Sequence, residues 1–123
     1  MKFVSTRKST LPVSFSESLL MGLAPDGGLL IPENFPAFSK LAENSFLSVA
    51  KTVAQSFAQD DELSGKIESI CEQAFNFPIV LKKLKDTTSI LELFHGPTCA
   101  FKDVGARFLA SAKANYKKLK SKT

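Results

Sequence analysis

The sequence has few cysteines and histidines, and this scarcity narrows the kinds of site that it can hold. It contains two cysteines, Cys71 and Cys99, and one histidine, His95, with no Cys-x-x-Cys pair and no His/Cys cluster. Structural zinc and iron–sulfur centres are built from such clusters, so we expect no metal site. Two cysteines in a chain that we expect to be cytosolic predict free thiols rather than a disulfide.

Long apolar runs and glycine-rich stretches are missing as well. No apolar run approaches the roughly 18 residues that a membrane-spanning helix needs, and the opening MKFVSTR lacks the pattern of a secretory signal. We therefore expect a cytoplasmic location and no membrane partner. The six glycines are scattered, with Gly27-Gly28 the only adjacent pair, so no glycine-rich loop is available to grip a cofactor phosphate.

The remaining composition is that of a globular protein. Of the 123 residues 44% are hydrophobic and 23% charged, and 11 are phenylalanine, which is enough apolar side-chain area for a packed core in one domain or slightly more. The net charge of +4 is concentrated in lysines of the last ten residues or so. A nucleic-acid surface would need more basic residues with interleaved aromatics, so we interpret these lysines as a solvated helix end and expect no nucleic-acid partner.

The first half of the chain predicts short strands and three helices. Residues 3–7 read as a strand, and the capping box at Ser14 and Glu17 predicts a helix from about Phe15 to Leu23. A tight turn at 26–28 and a short strand at 29–31 follow. Apolar residues then recur at helical spacing in two segments: Phe46, Val49, Ala50, Val53 and Phe57, and then Ile67, Ile70, Cys71, Ala74 and Phe75.

The second half predicts a strand pair followed by a loop and a helix. Residues 79–85 and 89–94 read as strands around a turn at 86–88. The loop 95–98 then leads to a helix that begins near Lys102 or Asp103, where Asp103 is expected to cap the free amides. The apolar neighbours of Lys102 predict partial desolvation, which would lower the pKa of its amine and make it a nucleophile. Spacing alone is weak evidence, since most lysines at helix starts are merely solvated.

The wording of this segment is more specific than its spacing. Residues 92–103 read ELFHGPTCAFKD, which closely resembles the pyridoxal-phosphate (PLP) lysine motif of threonine synthases, E-L-F-H-G-P-T-x-A-F-K-D. The opening FVSTR and the stretch GLAPDGGL at 22–29 are similar to the same family's N-terminal motifs. Two departures are Lys8, where the family usually has glycine, and Leu30, where an aromatic residue is common.

The resemblance implies a function and a site. Threonine synthases are PLP-dependent carbon–oxygen lyases acting on phosphates, which convert O-phospho-L-homoserine and water to L-threonine and phosphate. By the motif, Lys102 would be both the catalytic and the cofactor-binding residue, through a Schiff base with pyridoxal 5'-phosphate. His95 and Thr98 are weaker candidates for substrate contact. For His95 a loop-stabilising hydrogen bond is the competing interpretation, and Gly96 and Pro97 are expected to shape the turn.

The resemblance also implies a fold and its division. We expect an α/β fold, α+β in its N-terminal part, with a threonine synthase N-terminal domain at residues 1–78. Residues 79–123 would begin a truncated PLP-binding catalytic domain of fold type II. The family enzyme is several times longer, so we expect the isolated chain to be inactive and to need the remainder of the enzyme chain as its partner. Two alternatives stay open: a related fold type II lyase or dehydratase, and a non-catalytic module that binds a partner.

Overall fold

The computed structural model describes residues 1–38 and 45–121. These two ranges contain four strands and four helices. A single turn of 3-10 helix at Ser64–Lys66 precedes the third helix. In chain order the elements are β1 (Phe3–Ser5), α1 (Phe15–Met21), β2 (Leu30–Pro32), α2 (Phe46–Phe57), α3 (Ile67–Ala74), β3 (Val80–Lys85), β4 (Thr88–Glu92) and α4 (Lys102–Lys120).

The chain begins with a two-stranded ribbon and a capped helix. Strands β1 and β2 pair antiparallel, with Phe3 opposite Pro32. The predicted capping box is confirmed, because the Glu17 amide donates to Ser14 Oγ and the Ser14 amide donates to Glu17 Oε2. Helix α1 ends slightly earlier than predicted, at Met21, because Gly22 takes a φ of +73°, the left-handed cap that glycine adopts at little cost.

Helix α3 is the centre of the core, and its predicted apolar face is confirmed. Ile67, Ile70, Cys71 and Ala74 are each at most 1% exposed. Burial raises the pKa of the Cys71 thiol to about 11, and both cysteines are free thiols, as predicted. Cys71 therefore acts as a small hydrophobe.

The turn between α2 and α3 is fastened to the start of α1. Asp60, in this turn, has a φ of +62°. The carboxylate of Asp61 accepts hydrogen bonds from the Ser16 amide (3.0 Å) and the Ser16 hydroxyl (3.1 Å). Asp61 thus lies in the turn between two helices and also satisfies a free backbone amide at the start of α1.

Helix α4 completes the core by lying against α3. The Arg107 guanidinium donates through Nε to the carbonyl of Ala74 at 2.8 Å and through Nη2 to Asn76 Oδ1 at 2.6 Å. Further along, Ser111 Oγ donates to Gln73 Oε1 at 3.0 Å. Because backbone carbonyls at the end of a helix lack intrahelical partners, Arg107 both caps α3 and fixes α4 against it.

Helix α2 is held less completely. All five residues of its predicted apolar face are only half-buried, and none of α2 is fully buried. This face borders an open groove of about 300 Å³ between α2 and the start of α4. The lining side chains are apolar: Phe15, Ala50, Val53, Ala54, Phe57, Phe75, Val104 and Phe108, with Gly105 between them.

Strands β3 and β4 form the predicted hairpin. They pair antiparallel from Val80 opposite Glu92 to Lys85 opposite Thr88, with an irregularity between Lys83 and Lys85. Every residue of β3 is exposed. The hairpin therefore leads the chain away from the helical core and back to the loop before α4. Within the described ranges, no helix is long and apolar enough to cross a membrane.

Candidate active site

Lys102 is the first residue of α4, and a tightly wound loop leads up to it. The Cys99 amide donates to the Gly96 carbonyl at 3.0 Å, and the Asp103 amide donates to the Ala100 carbonyl at 3.1 Å. Cys99 takes a φ of +54°, a left-handed conformation that costs a non-glycine residue about 1 kcal/mol. The local hydrogen bonds therefore hold the loop in a conformation that its residues would not all prefer.

Asp103 has a different role from the predicted helix cap. Its carboxylate accepts two hydrogen bonds from one residue, from the Thr98 amide to Oδ2 and from Thr98 Oγ1 to Oδ1, both at 2.8 Å. The N-cap residue of α4 is Phe101, and it makes no side-chain cap. The expectation that Asp103 caps the helix amides is therefore wrong, because the loop turns back and brings the Thr98 donors to this 6% exposed carboxylate.

Gly96 is buried because the Asp103 side chain lies directly on it. A Cβ at position 96 would stand 2.5 Å from Asp103 Oδ2 and 2.9 Å from Asp103 Cβ, closer than real carbon contacts. Asp103 is short and begins in the helix, so it cannot swing away. The glycine thus permits a close approach of loop to helix.

His95 is hydrogen-bonded within the loop region. Its Nε2 lies 2.7 Å from Glu92 Oε2, and its ring lies 4.6 Å from that of Phe94. This is the loop-stabilising contact that competed with a substrate role. Thr98, the other weak candidate, gives its hydroxyl proton to Asp103, which leaves the oxygen lone pairs as its remaining hydrogen-bonding capacity.

Lys102 is exposed, and the predicted apolar surroundings are absent from the described residues. Phe94 is 51% and Phe101 66% exposed, so neither side chain is packed into the core. The desolvation predicted for Lys102 is therefore wrong for this chain. Among residues 1–38 and 45–121, no carboxylate pairs with Lys102, whereas Lys51 is bound by Glu72 at 2.7 Å.

A second cluster gathers the two N-terminal motifs. Asp26 Oδ1 accepts from Ser5 Oγ at 2.7 Å and from the Gly28 amide at 2.9 Å, and these bonds, the first above all, hold the pKa of that carboxyl below its usual range. Arg7 Nη1 donates to the Asp26 carbonyl at 2.9 Å. A Cβ on Gly28 would collide with Ser5 Oγ. The predicted turn at 26–28 is confirmed. Its hydrogen-bond donors are the Ser5 hydroxyl, the Arg7 guanidinium and the Gly28 amide of the chain itself.

Sequence reasoning missed two of these arrangements. The pairing of the Ser5 segment with the Asp26 turn spans 21 residues and leaves no local pattern. The Thr98–Asp103 pair was visible only as a threonine five residues before an acid, which is not the three-residue spacing of a capping box.

The chain is similar to known proteins over most of its length. The profile of the family described as "Threonine synthase N terminus" matches residues 2–75. The chain belongs to the threonine synthase family. It is 34% identical to the threonine synthase of Serratia marcescens over 115 residues, covering 89% of this chain and 27% of that protein. For the Schizosaccharomyces pombe enzyme the identity is 38% over 120 residues, covering 89% and 23%.

Solved threonine synthase structures match the fold. The Escherichia coli enzyme superposes with a TM-score of 0.83 at 31% identity, over 94% of this chain and 28% of that one. A PLP-bound threonine synthase from Brucella melitensis gives a TM-score of 0.83 at 35% identity, over 95% and 28%. The predicted fold class, mixed helix and strand from the N-terminal part of a fold type II enzyme, is confirmed. The chain spans about a quarter of the length of these threonine synthases.

Proposed function

We propose that this chain is the N-terminal portion of a PLP-dependent threonine synthase, in which Lys102 is the cofactor lysine. The enzyme as a whole converts O-phospho-L-homoserine and water to L-threonine and phosphate. The observation that carries the proposal is the placement of Lys102. The full ELFHGPTCAFKD motif forms a strand, a locked loop and a helix start, and its lysine stands exposed at the end of that loop.

The residues present fit one part of a PLP site. An exposed amine without a carboxylate partner in the described chain is accessible to an aldehyde carbon, and the desolvation that would make it a nucleophile is assigned to the remainder of the enzyme chain. A grip for the cofactor phosphate is a separate need, and we assign it to the remainder of the enzyme chain. PLP, when bound, supplies an electron sink for carbanions formed on the substrate.

The chain's own contribution to the reaction is proton transfer and orientation. Lys102 Nζ takes the proton from Cα of the substrate and later returns a proton, so one amine serves as base and then as acid. Lys102 and its neighbours Phe94 and Phe101 are exposed to solvent here. Cover from the rest of the enzyme would exclude water from the amine.

The remaining assignments follow from the same proposal. Thr98 can meet the substrate or cofactor as an acceptor, and His95 can do so through the ring nitrogen that Glu92 leaves free. Residues 1–78 are assigned to the N-terminal domain and 79–123 to the start of the catalytic domain, whose helix α4 contacts α3 and α1 of the first segment. The substrate is a small molecule, and the location is cytoplasmic.

Trapping with PLP and borohydride, followed by peptide mapping, tests the site. We expect selective labelling of Lys102 in a longer enzyme that contains this chain, and weak or scattered labelling in the 123-residue chain. Lys102→Arg in the longer enzyme is the control and should abolish the label. Selective labelling of a different lysine would overturn the assignment.

Turnover tests the division of labour. We expect no release of phosphate from O-phospho-L-homoserine by the isolated chain, because the cofactor phosphate has no glycine-rich loop in it. Phosphate release that survives Lys102→Ala would point to a contaminant. Release that depends on Lys102 would show that the short chain is sufficient, contrary to the proposal.

A further inference from the structure

We propose that Asp103 is a positioning residue that orients Lys102 by clamping the preceding loop to the first turn of α4. This inference rests on the proposed function, because the proposed function is what makes the orientation of Lys102 important. The clamp consists of the Asp103 carboxylate, the amide and hydroxyl of Thr98, and Gly96. Its role concerns the direction of the neighbouring lysine and involves no contact with the reacting atoms.

Each oxygen of the Asp103 carboxylate accepts one hydrogen bond, and both donors belong to a single nearby residue. Oδ2 receives the Thr98 amide and Oδ1 receives the Thr98 hydroxyl, both at 2.8 Å. Hydrogen bonds to an ionised acceptor are about twice as strong as neutral ones. Asp103 is 6% exposed, so solvent competes little for these two bonds.

Gly96 makes the clamp stiff. The space where its Cβ would stand is occupied by the Asp103 side chain, with Oδ2 2.5 Å and Cγ 3.0 Å from that point. Asp103 therefore cannot change rotamer toward Gly96, and it cannot leave in the opposite direction without giving up both Thr98 bonds. Thr98 and Gly96 thus hold the side chain from two sides.

The position of Asp103 in the helix transfers this constraint to Lys102. Successive residues of an α-helix are turned by about 100°, so fixing the side chain at 103 fixes the rotation of the first turn and the direction of the residue before it. Helix ends otherwise fray, because their first amides lack partners. Farther along, Arg107 fixes α4 to the end of α3 through Ala74 at 2.8 Å, but it lies more than one turn away.

The test compares variants of the 123-residue chain. Asp103→Asn removes an acceptor from the clamp, and Asp86→Asn removes an exposed carboxylate in the hairpin turn as the matched control. We expect the amide of residue 98 to exchange with solvent roughly ten- to hundredfold faster in Asp103→Asn, the factor for losing a charged hydrogen bond. The control should leave that rate unchanged.

A second pair of variants separates positioning from general stability. Thr98→Ser keeps both donors, whereas Thr98→Val keeps only the amide. We expect the backbone NMR order parameter at Lys102 to fall in Asp103→Asn and in Thr98→Val and to stay at the wild-type value in Thr98→Ser, while the melting temperature of Thr98→Val changes little.

The outcomes distinguish this inference from the proposed function. Unchanged exchange at position 98 in Asp103→Asn would overturn the clamp, and an unchanged order parameter at Lys102 despite faster exchange would overturn its positioning role. If the Asp103→Asn chain does not fold, the order parameter at Lys102 in the two Thr98 variants tests the positioning role. Equal order parameters in Thr98→Val and Thr98→Ser would then overturn it. None of these measurements uses PLP, so failure to label Lys102 with the cofactor would refute the proposed function and leave the clamp to be judged separately.

Discussion

Helix α3 and the β3–β4 hairpin differ in how they are stabilised. Ile70, in α3, is 0% exposed, whereas Ile90, in β4, is 45% exposed. The helix is held by contact with α2 and α4, and the hairpin is held by its own ladder of backbone hydrogen bonds. Two-stranded hairpins are marginal in water without a packed face.

The difference separates a self-sufficient region from a dependent one. Residues of β1, α1, α3 and α4 share one buried apolar cluster, to which α4 contributes Ala112. The hairpin carries exposed Leu81 and Leu91 and leads directly to the loop before Lys102. The residues proposed for chemistry thus lie on the side of the chain that has the least cover of its own.

The largest expected effect contrasts two isoleucines. Ile70→Ala should lower the free energy of unfolding by about 2–5 kcal/mol, because it leaves a cavity in a closed core. Ile90→Ala should cost less than about 1 kcal/mol, because its side chain is already half in water. Urea denaturation of both variants measures this. Equal losses would mean that the hairpin is part of the same cooperative core.

Alkaline pH should weaken the helical region through Cys71. Its folded pKa of about 11 lies above the usual thiol pKa of 9.0, so folding favours the neutral thiol. The resulting stability is complete below pH 9 and is lost as pH rises through 11, a decrease of roughly 2–3 kcal/mol. Unfolding free energies of wild type and Cys71→Ala between pH 8 and about 11 should converge at the alkaline end.

Thiol reactivity provides the control for that experiment. Cys99 is exposed and Cys71 is buried, so an aromatic disulfide reagent should label one thiol in the native protein and two after denaturation. Native labelling of Cys71 at neutral pH would show that the core opens readily, which would contradict the contrast between the two regions.

Local sequence patterns were enough to predict the helices and strands of both regions. Features that depend on contacts between residues distant in sequence were not predicted. The spacing of Ile67, Ile70 and Cys71 was enough to predict the buried face of α3, since burial there follows from helical periodicity. The desolvation of Lys102 was predicted on the same kind of local evidence and was wrong. Apolar neighbours in sequence, such as Phe101, bury a residue only when another element covers them.

Side chains with two possible uses were the other obstacle. An acid in the first turn of a helix satisfies either the helix amides or a loop that folds back, and the sequence around Asp103 is compatible with both. The capping box at Ser14 and Glu17 was predictable because its two partners lie three residues apart. The bond from Ser5 to Asp26 spans 21 residues, beyond any local signal.

Three glycines sharpen the comparison at the level of single atoms. Gly96→Ala should destabilise the loop by about 1–3 kcal/mol, the cost of forcing a group into filled space, and Gly28→Ala should do the same to the N-terminal cluster by colliding with Ser5. Gly105, inside α4, has nothing within 4 Å of its Cβ position, so Gly105→Ala should stabilise the chain by roughly 0.5–1 kcal/mol.

Thermal melting and local amide exchange distinguish Gly28→Ala from Gly96→Ala, and thermal melting alone measures the gain expected for Gly105→Ala. Gly28→Ala is expected to lower the melting temperature of the whole chain, because its cluster belongs to the self-sufficient region. Gly96→Ala is expected to act mainly on amide exchange at residues 98 and 99. A melting temperature that falls equally in both would place the loop inside the core's cooperative unit.

The smallest effects come from two left-handed residues, one in each region. Lys8 has a φ of +58° and Cys99 a φ of +54°, and Lys8 stands where the family usually has glycine. Lys8→Gly should raise the free energy of unfolding by about 0.5–1 kcal/mol, because relief of the left-handed strain exceeds the added freedom of the unfolded chain. Cys99→Gly relieves the same strain, but in a segment that opens locally. We expect slower amide exchange in the 96–99 loop and an unchanged global stability. An equal gain in global stability from both substitutions would show that the loop before Lys102 unfolds together with the core.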